Sequence, residues 1–409
     1  MNVIGSCRMT NSPLELVLDL GRQPLGNGFL SPADFEGEYF YDLQCGFSEE
    51  SKLFQLIEQP AAELMFHEEY AFISGTSEHM KRHFAEFAGS VVARGFCPPE
   101  TGFAVELGCN DGILLGHFAD RGIRHLGVEP SSDVAALATD RGVTVVTEFF
   151  GAELAHQIAS EHGNADVVMA ANVLCHIPDI NDLAVGISDL LSPAGVLVFE
   201  DPYLGAVIEL ASYDQVYDEH VFLFSALSVQ NVFGEVGMEL IDTEAQPTHG
   251  GSMRYSLGKI GHHRVSGRVA QTLAKETAQG LGKVGTYREF AVRVAANSRA
   301  LKDLLGSLKA EGRETAAFGA TSKSTTIYNF AGIGPDLVTR IFDNTPLKIG
   351  KLSPGMHIPI IDSVEFASSP PEIAFLSAWN HELEILTRNA SFAAHGGRWL
   401  SHVPSVRYL

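Results

Sequence analysis

Residues 105–115, VELGCNDGILL, decide the fold. The segment reads as an apolar strand that ends in a glycine turn and opens a helix. Gly108 and Gly112 are four apart, unlike the closely spaced glycines of G-x-G-x-x-G, which admit a pyrophosphate. Glu106 heads the turn, Asn110 and Asp111 lie inside it, and Glu129 ends the next strand candidate at HLGVEP.

Outward from this turn, strand and helix patterns alternate. GFAVELG, HLGVEP, VTVVTEFF, ADVVMAANV and GVLVFEDP are apolar strand candidates, and stretches such as SSDVAALATDRG and DINDLAVGISDLL lie between them. That alternation predicts a parallel sheet covered by helices. Upstream, residues 76–96 carry apolar positions at helical spacing, and the first sixty-odd residues read as short strands and turns broken at Pro24, Gly26, Asn27 and Gly28. Downstream, 264–312 is long and amphipathic, one or two bridging helices. A second alternation (ETAAFGATS, LVTRIFDN, HIPII, EIAFLSAW) then predicts a smaller parallel α/β unit. The expected division is 1–68, 69–258 and 259–409: a small mostly-β domain, a Rossmann-like α/β domain, and a C-terminal Rossmann-like α/β domain with leading helices.

The turn chemistry suits S-adenosylmethionine (SAM), which carries no phosphate. Gly108 and Gly112 let the backbone approach the ligand, Glu129 can accept from both ribose hydroxyls, and Asn110 and Asp111 can meet the ammonium group. Asn172, opening NVLCHIPD after the fourth strand, and Glu106 complete the expected cofactor set. The expectation is a class I SAM-dependent methyltransferase domain; an NAD site is the rival, disfavoured by the glycine spacing.

Bulk composition narrows the rest. A net charge of -22 over 409 residues argues against a nucleic-acid partner, and no apolar run approaches a membrane span. Five cysteines without tight pairing argue against a disulfide framework, and the N-terminus lacks a signal-peptide pattern, so a cytoplasmic setting is expected.

Taken together, the motifs resemble the sugar-nucleotide C-methyltransferases of deoxysugar biosynthesis, over essentially the whole chain. VLDLG, PLGNGFL and SGTSEHMKRHF carry the likeness at the start, and ELGCNDG, GVEP, NVLCHIPD, FEDPYL, VYDEHVFLFS and HGGSMRY in the middle. FGATSKSTTIYN, FDNTPLKIGKLSPGMHIPI and AWNHELEIL carry it at the end. The resemblance implies a zinc-binding-type N-terminal domain, a SAM-binding middle domain and a substrate site between domains. The implied substrate is a 4-keto-deoxysugar on a nucleoside diphosphate, methylated at C-3 of a TDP-sugar. The alternative is the same scaffold acting on an O, N or non-sugar substrate. Oligomeric state stays open.

One departure stands out. Two Cys-x-x-Cys pairs are usual in such a domain, but CRMT and CGFS leave Cys7 and Cys45 with Thr10 and Ser48 as their counterparts. Two thiolates do not hold a structural zinc alone, so zinc is doubtful and no metal ligand set is assigned, with His67 the one candidate helper.

Carbon methylation beside a ketone needs a base, a donor to the developing oxyanion, and tight positioning. In VYDEHVFLF at 216–224, Tyr217 and His220 are three apart, and the resemblance makes His220 the base and Tyr217 the group at the sugar oxygen. Glu219 is expected to orient the imidazole or touch substrate; Asp218 has the least expected role. His176, at the carboxyl end of a strand, is a further catalytic candidate. Expected substrate contacts are Phe72 (where such proteins tend to carry tyrosine), Thr76, Tyr203, His249, Arg254, Ser322 and Lys323. The last two open a helix whose N-terminus favours a diphosphate.

Overall fold

The structure, a computed structural model, describes residues 3–65 and 78–409. Strands β1 (Val3–Ser6), β2 (Pro13–Pro24), β3 (Phe40–Phe47) and β4 (Phe54–Leu56) form an antiparallel meander. Leu14, Leu18, Leu20, Leu43 and Phe47 are buried along it, while Asp19, Gly21, Arg22 and Asp42 face solvent. A helix at Glu78–Ala93 follows, where the periodicity predicts one.

The middle sheet contains β5 (Phe103–Leu107), β6 (Arg124–Val128), β7 (Val145–Val146), β8 (Ala165–Ala171) and β9 (Leu191–Pro202) in parallel pairing. Every residue of β5 is buried, Glu106 included, because both faces of the sheet are covered. After β9 the chain makes a short strand β10 (Phe222–Leu223) and then β11 (Met238–Gln246) and β12 (Ser252–Lys259). These last two are antiparallel to each other, and β12 is antiparallel to β9. The sheet order is β11-β12-β9-β8-β5-β6-β7, so the all-parallel expectation is corrected to a mixed sheet with an antiparallel edge. Successive connections diverge from β5 towards β6 on one side and β8 on the other. A crevice therefore opens at the carboxyl ends of β5 and β8.

β10 does not join this sheet. Phe222 pairs with Gln55 and Leu223 with Phe54, so the apolar end of VYDEHVFLF completes the N-terminal meander. Two helices, Gly267–Gln279 and Val284–Ala310, lead to the third sheet. It comprises β13 (Thr315–Phe318), β14 (Ile341–Asp343), β15 (Ile360–Asp362), β16 (Ile373–Leu376), β17 (Arg398–Ser401) and β18 (Arg407–Tyr408). Its order is β15-β14-β13-β16-β17-β18, parallel except for β18. One apolar cluster runs from Val17, Leu18 and Phe47 through Leu204 and Val207 to Leu301, Ala317 and Ile327. The first and last sheets thus share a core.

Candidate active site

At the crevice, Gly108 has φ +61, and a Cβ there would lie 2.4 Å from Cγ2 of Val173, so only glycine fits this turn. Asn110 (φ 49) and Asn172 (φ 56) adopt the same left-handed region without being glycine, backbone strain that clusters at binding sites. Glu129 joins the two loops: Oε2 accepts from the Asn110 N–H and Oε1 from the Ser131 N–H, each at 3.0 Å. Burial raises its pKa. Burial also pushes Glu106 well above the carboxylate range, and its Oε2 has no hydrogen-bond partner. Asp111 pairs with Arg141 at 3.0 Å rather than pointing free into the crevice, and its Oδ1 is likewise buried and unpartnered. Narrow glycine-lined backbone and buried acceptors lacking donors suit a ligand carrying hydroxyl and ammonium groups.

The second half of the site is the segment after β9. Tyr217, Asp218, Glu219 and His220 are all buried, in a turn closed by the His220 N–H on the Tyr217 carbonyl at 3.0 Å. Nδ1 of His220 lies 2.8 Å from the Gln215 carbonyl, which can only accept. Nδ1 therefore carries the proton, and Nε2 is the basic atom. Nε2 accepts the Tyr217 hydroxyl at 2.9 Å. The His176 ring stacks 5.3 Å from the His220 ring, and ligand atoms of Cys175, His176 and His220 lie within 4.8 Å of one another.

Flanking sheets hold this turn from both sides. From the turn after β2, the Gly26 N–H donates to both carboxylate oxygens of Asp218 (3.1 and 3.2 Å), and Asn27 Nδ2 donates to Glu219 at 2.6 Å. From the helix Ser322–Ala331, Thr325 donates to the Gly26 carbonyl (2.9 Å) and Thr326 to the Val216 carbonyl (3.0 Å). Trp379 Nε1 donates to Asp214 at 2.6 Å. Lys323 Nζ reaches the His249 carbonyl at 3.5 Å, and His249 Nε2 lies 3.3 Å from Asn172 of the cofactor crevice.

Burial sets the charges. It holds His220 well below its ordinary pKa, with His176 and the Lys323 ammonium adding repulsion, so the imidazole is neutral near pH 7. His176 is pushed down to about 4 and His249 to about 3, both chiefly by burial. Asp218 is pushed up to about 8 by burial and by Glu219 beside it. A neutral imidazole hydrogen-bonded to a phenol is chemically able to accept a proton and to steady an oxyanion.

Comparison with known proteins shows the family of the chain. The chain is 31% identical over 410 residues to the C-methyltransferase NovU of Streptomyces niveus, covering 99% of this chain and 97% of that one. It belongs to the C-methyltransferase family. Residues 247–404 match the "C-methyltransferase C-terminal domain" family, 79–243 a "Methyltransferase domain" family and 7–66 a "Putative zinc binding domain" family. A ubiquinone biosynthesis O-methyltransferase of Burkholderia lata is 31% identical over 115 residues, 26% of this chain and 49% of that one. The solved magnesium protoporphyrin IX methyltransferase of Synechocystis PCC 6803 with bound SAM covers 44% of this chain and 79% of its own, at 16% identity and TM-score 0.33. This C-methyltransferase is a SAM-dependent enzyme, with SAM as its cofactor.

Of the expected site residues, the structure brings together His176, Tyr217, Glu219, His220, His249, Ser322 and Lys323; Ser322 approaches the Tyr217 hydroxyl. Phe72 and Thr76, like His67, lie outside the described residues. Tyr203 packs in the core over Gly205, with Glu276 nearby. Arg254 is buried in a pair with Glu200 (2.9 Å) and lies over the Phe87 ring, because a buried guanidinium needs a carboxylate partner. Asp218 is no bystander: it ties the turn to Gly26. Asn27, Gln215 and Trp379 carry no catalytic signature in sequence, although PLGNGF is where the first two domains meet.

The metal reading needs one correction. Cys45 lies in the meander core with Leu18 and Phe47, whereas Cys7 packs with Leu14 and Leu53. Cys7 instead faces Ser51, 3.3 Å away. Around Cys7 the described residues offer hydroxyls and an amide, which do not fit a tetrahedral zinc.

Proposed function

We propose that this C-methyltransferase methylates carbon beside the ketone of a 4-keto-deoxysugar nucleotide, C-3 of a TDP-sugar, in the cytoplasm, as a step of deoxysugar biosynthesis. The observation that supports this reading is His220, whose tautomer is forced by the Gln215 carbonyl so that Nε2 is the free base, with Tyr217 bonded to it. Bound SAM supplies an electrophilic methyl group. His220 Nε2 takes the proton from the sugar α-carbon. For that step Tyr217 first frees the single lone pair of Nε2 and turns its hydroxyl to the carbonyl oxygen, where negative charge develops. Glu219, held by Asn27, orients the sugar, and His176 supports the imidazole by stacking. Lys323, with the helix N-terminus at Ser322, meets the diphosphate. Glu106, Gly108, Asn110, Asp111, Gly112, Glu129 and Asn172 form the cofactor crevice.

The test uses His220→Asn and Tyr217→Phe with methyl-labelled SAM and a panel of 4-keto nucleotide sugars, read by mass and NMR. His220→Asn should lose about 100-fold or more in kcat and lose exchange of the α-proton in heavy water, while SAM affinity is kept. A new carbon–carbon bond is expected in the product. Unchanged turnover in His220→Asn, or an O-methyl ether as product, overturns the assignment.

A further inference from the structure

Two turns of the N-terminal meander have the same backbone. In the first, the Asn11 N–H donates to the Cys7 carbonyl (2.8 Å), the Cys7 N–H to the Ser12 carbonyl (2.7 Å), and Asn11 is left-handed at φ 57. In the second, the Lys52 N–H donates to the Ser48 carbonyl (2.9 Å), the Ser48 N–H to the Leu53 carbonyl (3.1 Å), and Lys52 is left-handed at φ 60. Each bond of one turn has its counterpart in the other. Cys7 corresponds to Ser48 and Thr10 to Ser51.

The turns also face each other. Cys7 Sγ lies 3.3 Å from Ser51 Oγ, and Ser12 Oγ links Thr10 Oγ1 (2.7 Å) to Ser48 Oγ (3.4 Å). Two opposed turns, each presenting residues three apart, are the frame of a tetrahedral four-thiolate site, whose sulfurs about 2.3 Å from the metal stand about 3.8 Å apart. Here one thiol and three neutral hydroxyls fill the frame, and neutral hydroxyls are not zinc ligands.

What replaces the metal is visible on both turns. Gln55 Nε2 donates to Cys7 Sγ at 3.3 Å. Asn181, on the helix Ile180–Leu190, donates to the Met9 carbonyl at 2.9 Å, and Asn231, on the helix Ala226–Gly234, donates to the Ser51 carbonyl at 3.1 Å. Each turn is thus held by one asparagine of the middle domain. We infer that the two turns are a zinc frame that has exchanged metal for hydrogen bonds: Thr10, Ser48 and Ser51 occupy three ligand positions, and Asn181 and Asn231 carry the fastening that a metal would provide. The inference rests on family membership, not on the proposed substrate.

Metal analysis and thermal unfolding of the full chain test it. Purified wild type should contain under about a tenth of an equivalent of zinc and keep its Tm in chelator. Thr10→Cys/Ser48→Cys/Ser51→Cys should bind one cobalt(II) with tetrahedral thiolate absorption, exchangeable for zinc, and its Tm should become chelator-sensitive. Asn181→Ala/Asn231→Ala should lower Tm by roughly 2 °C or more with methyl transfer retained at low temperature. Near-stoichiometric zinc in wild type, a folded triple variant that binds no cobalt, or an unchanged Tm in the asparagine variant each overturn it.

Discussion

Lys323 shows how a single residue acquires its behaviour from where the fold puts it. Burial pushes its pKa down to about 8, against the pull of Asp214. An ammonium with a depressed pKa is charged below that value and neutral above it, so the attraction proposed for a diphosphate should fall as pH rises through about 8. In the free enzyme this should appear as a fall in kcat/KM with that midpoint. Lys323→Arg, which stays charged, should move the fall upward by a unit or more; an identical profile would remove Lys323 from substrate binding. The spacing of Tyr217 and His220 is readable in the chain, and the structure puts them in contact. Asp218 is not readable, because its partner Gly26 lies 192 residues away. Cys45 misleads for a related reason. A cysteine in sequence does not say which face of a strand it takes, and Ser51 hides the true register of the second turn.

At the scale of elements, helices are held by side chains that sequence does not pair. The helix Ala226–Gly234 starts at Ser225, whose hydroxyl accepts from the Ser228 N–H at 3.1 Å. Glu276, from the helix Gly267–Gln279, adds both carboxylate oxygens, accepting from the Ala226 N–H (2.7 Å) and the Leu227 N–H (2.9 Å). Glu276→Ala leaves a buried and a half-buried donor open at the positive end of a helix and should cost about 1–3 kcal/mol in chemical denaturation. A change below experimental error would show that water takes over the cap. The apolar runs within β5, β6, β8 and β9 are legible because strands covered on both faces bury most of their positions. The β11–β12 hairpin is not. Its alternation is diluted by Asp242 and Arg254, which the fold tolerates because Arg94 and Arg268 pair with the first and Glu200 with the second.

The described residues form three sheets around the candidate site, and the apolar core ignores sheet boundaries. Leu18 and Phe47 of the meander share a cluster with Leu301, Ala317 and Ile327 of the C-terminal part. The two ends should therefore unfold together. Hydrogen exchange under mild denaturant should give β2 and β13 the same opening free energy, and β2 opening first by more than about 2 kcal/mol would contradict a shared core. By itself the sequence determined the elements whose signal is local: the glycine turn at Gly108, the alternating strands and helices, and the Tyr217 to His220 spacing. Tertiary structure alone decided which residues complete the site. Asn27 and Trp379 arrive from opposite ends of the chain. It also decided that β10 belongs to the first sheet and that Cys7 faces Ser51, not Cys45. The division has a physical cause. Backbone preference and periodicity are written within a few residues, whereas burial and the partners of buried polar groups are set by contacts between segments hundreds of residues apart.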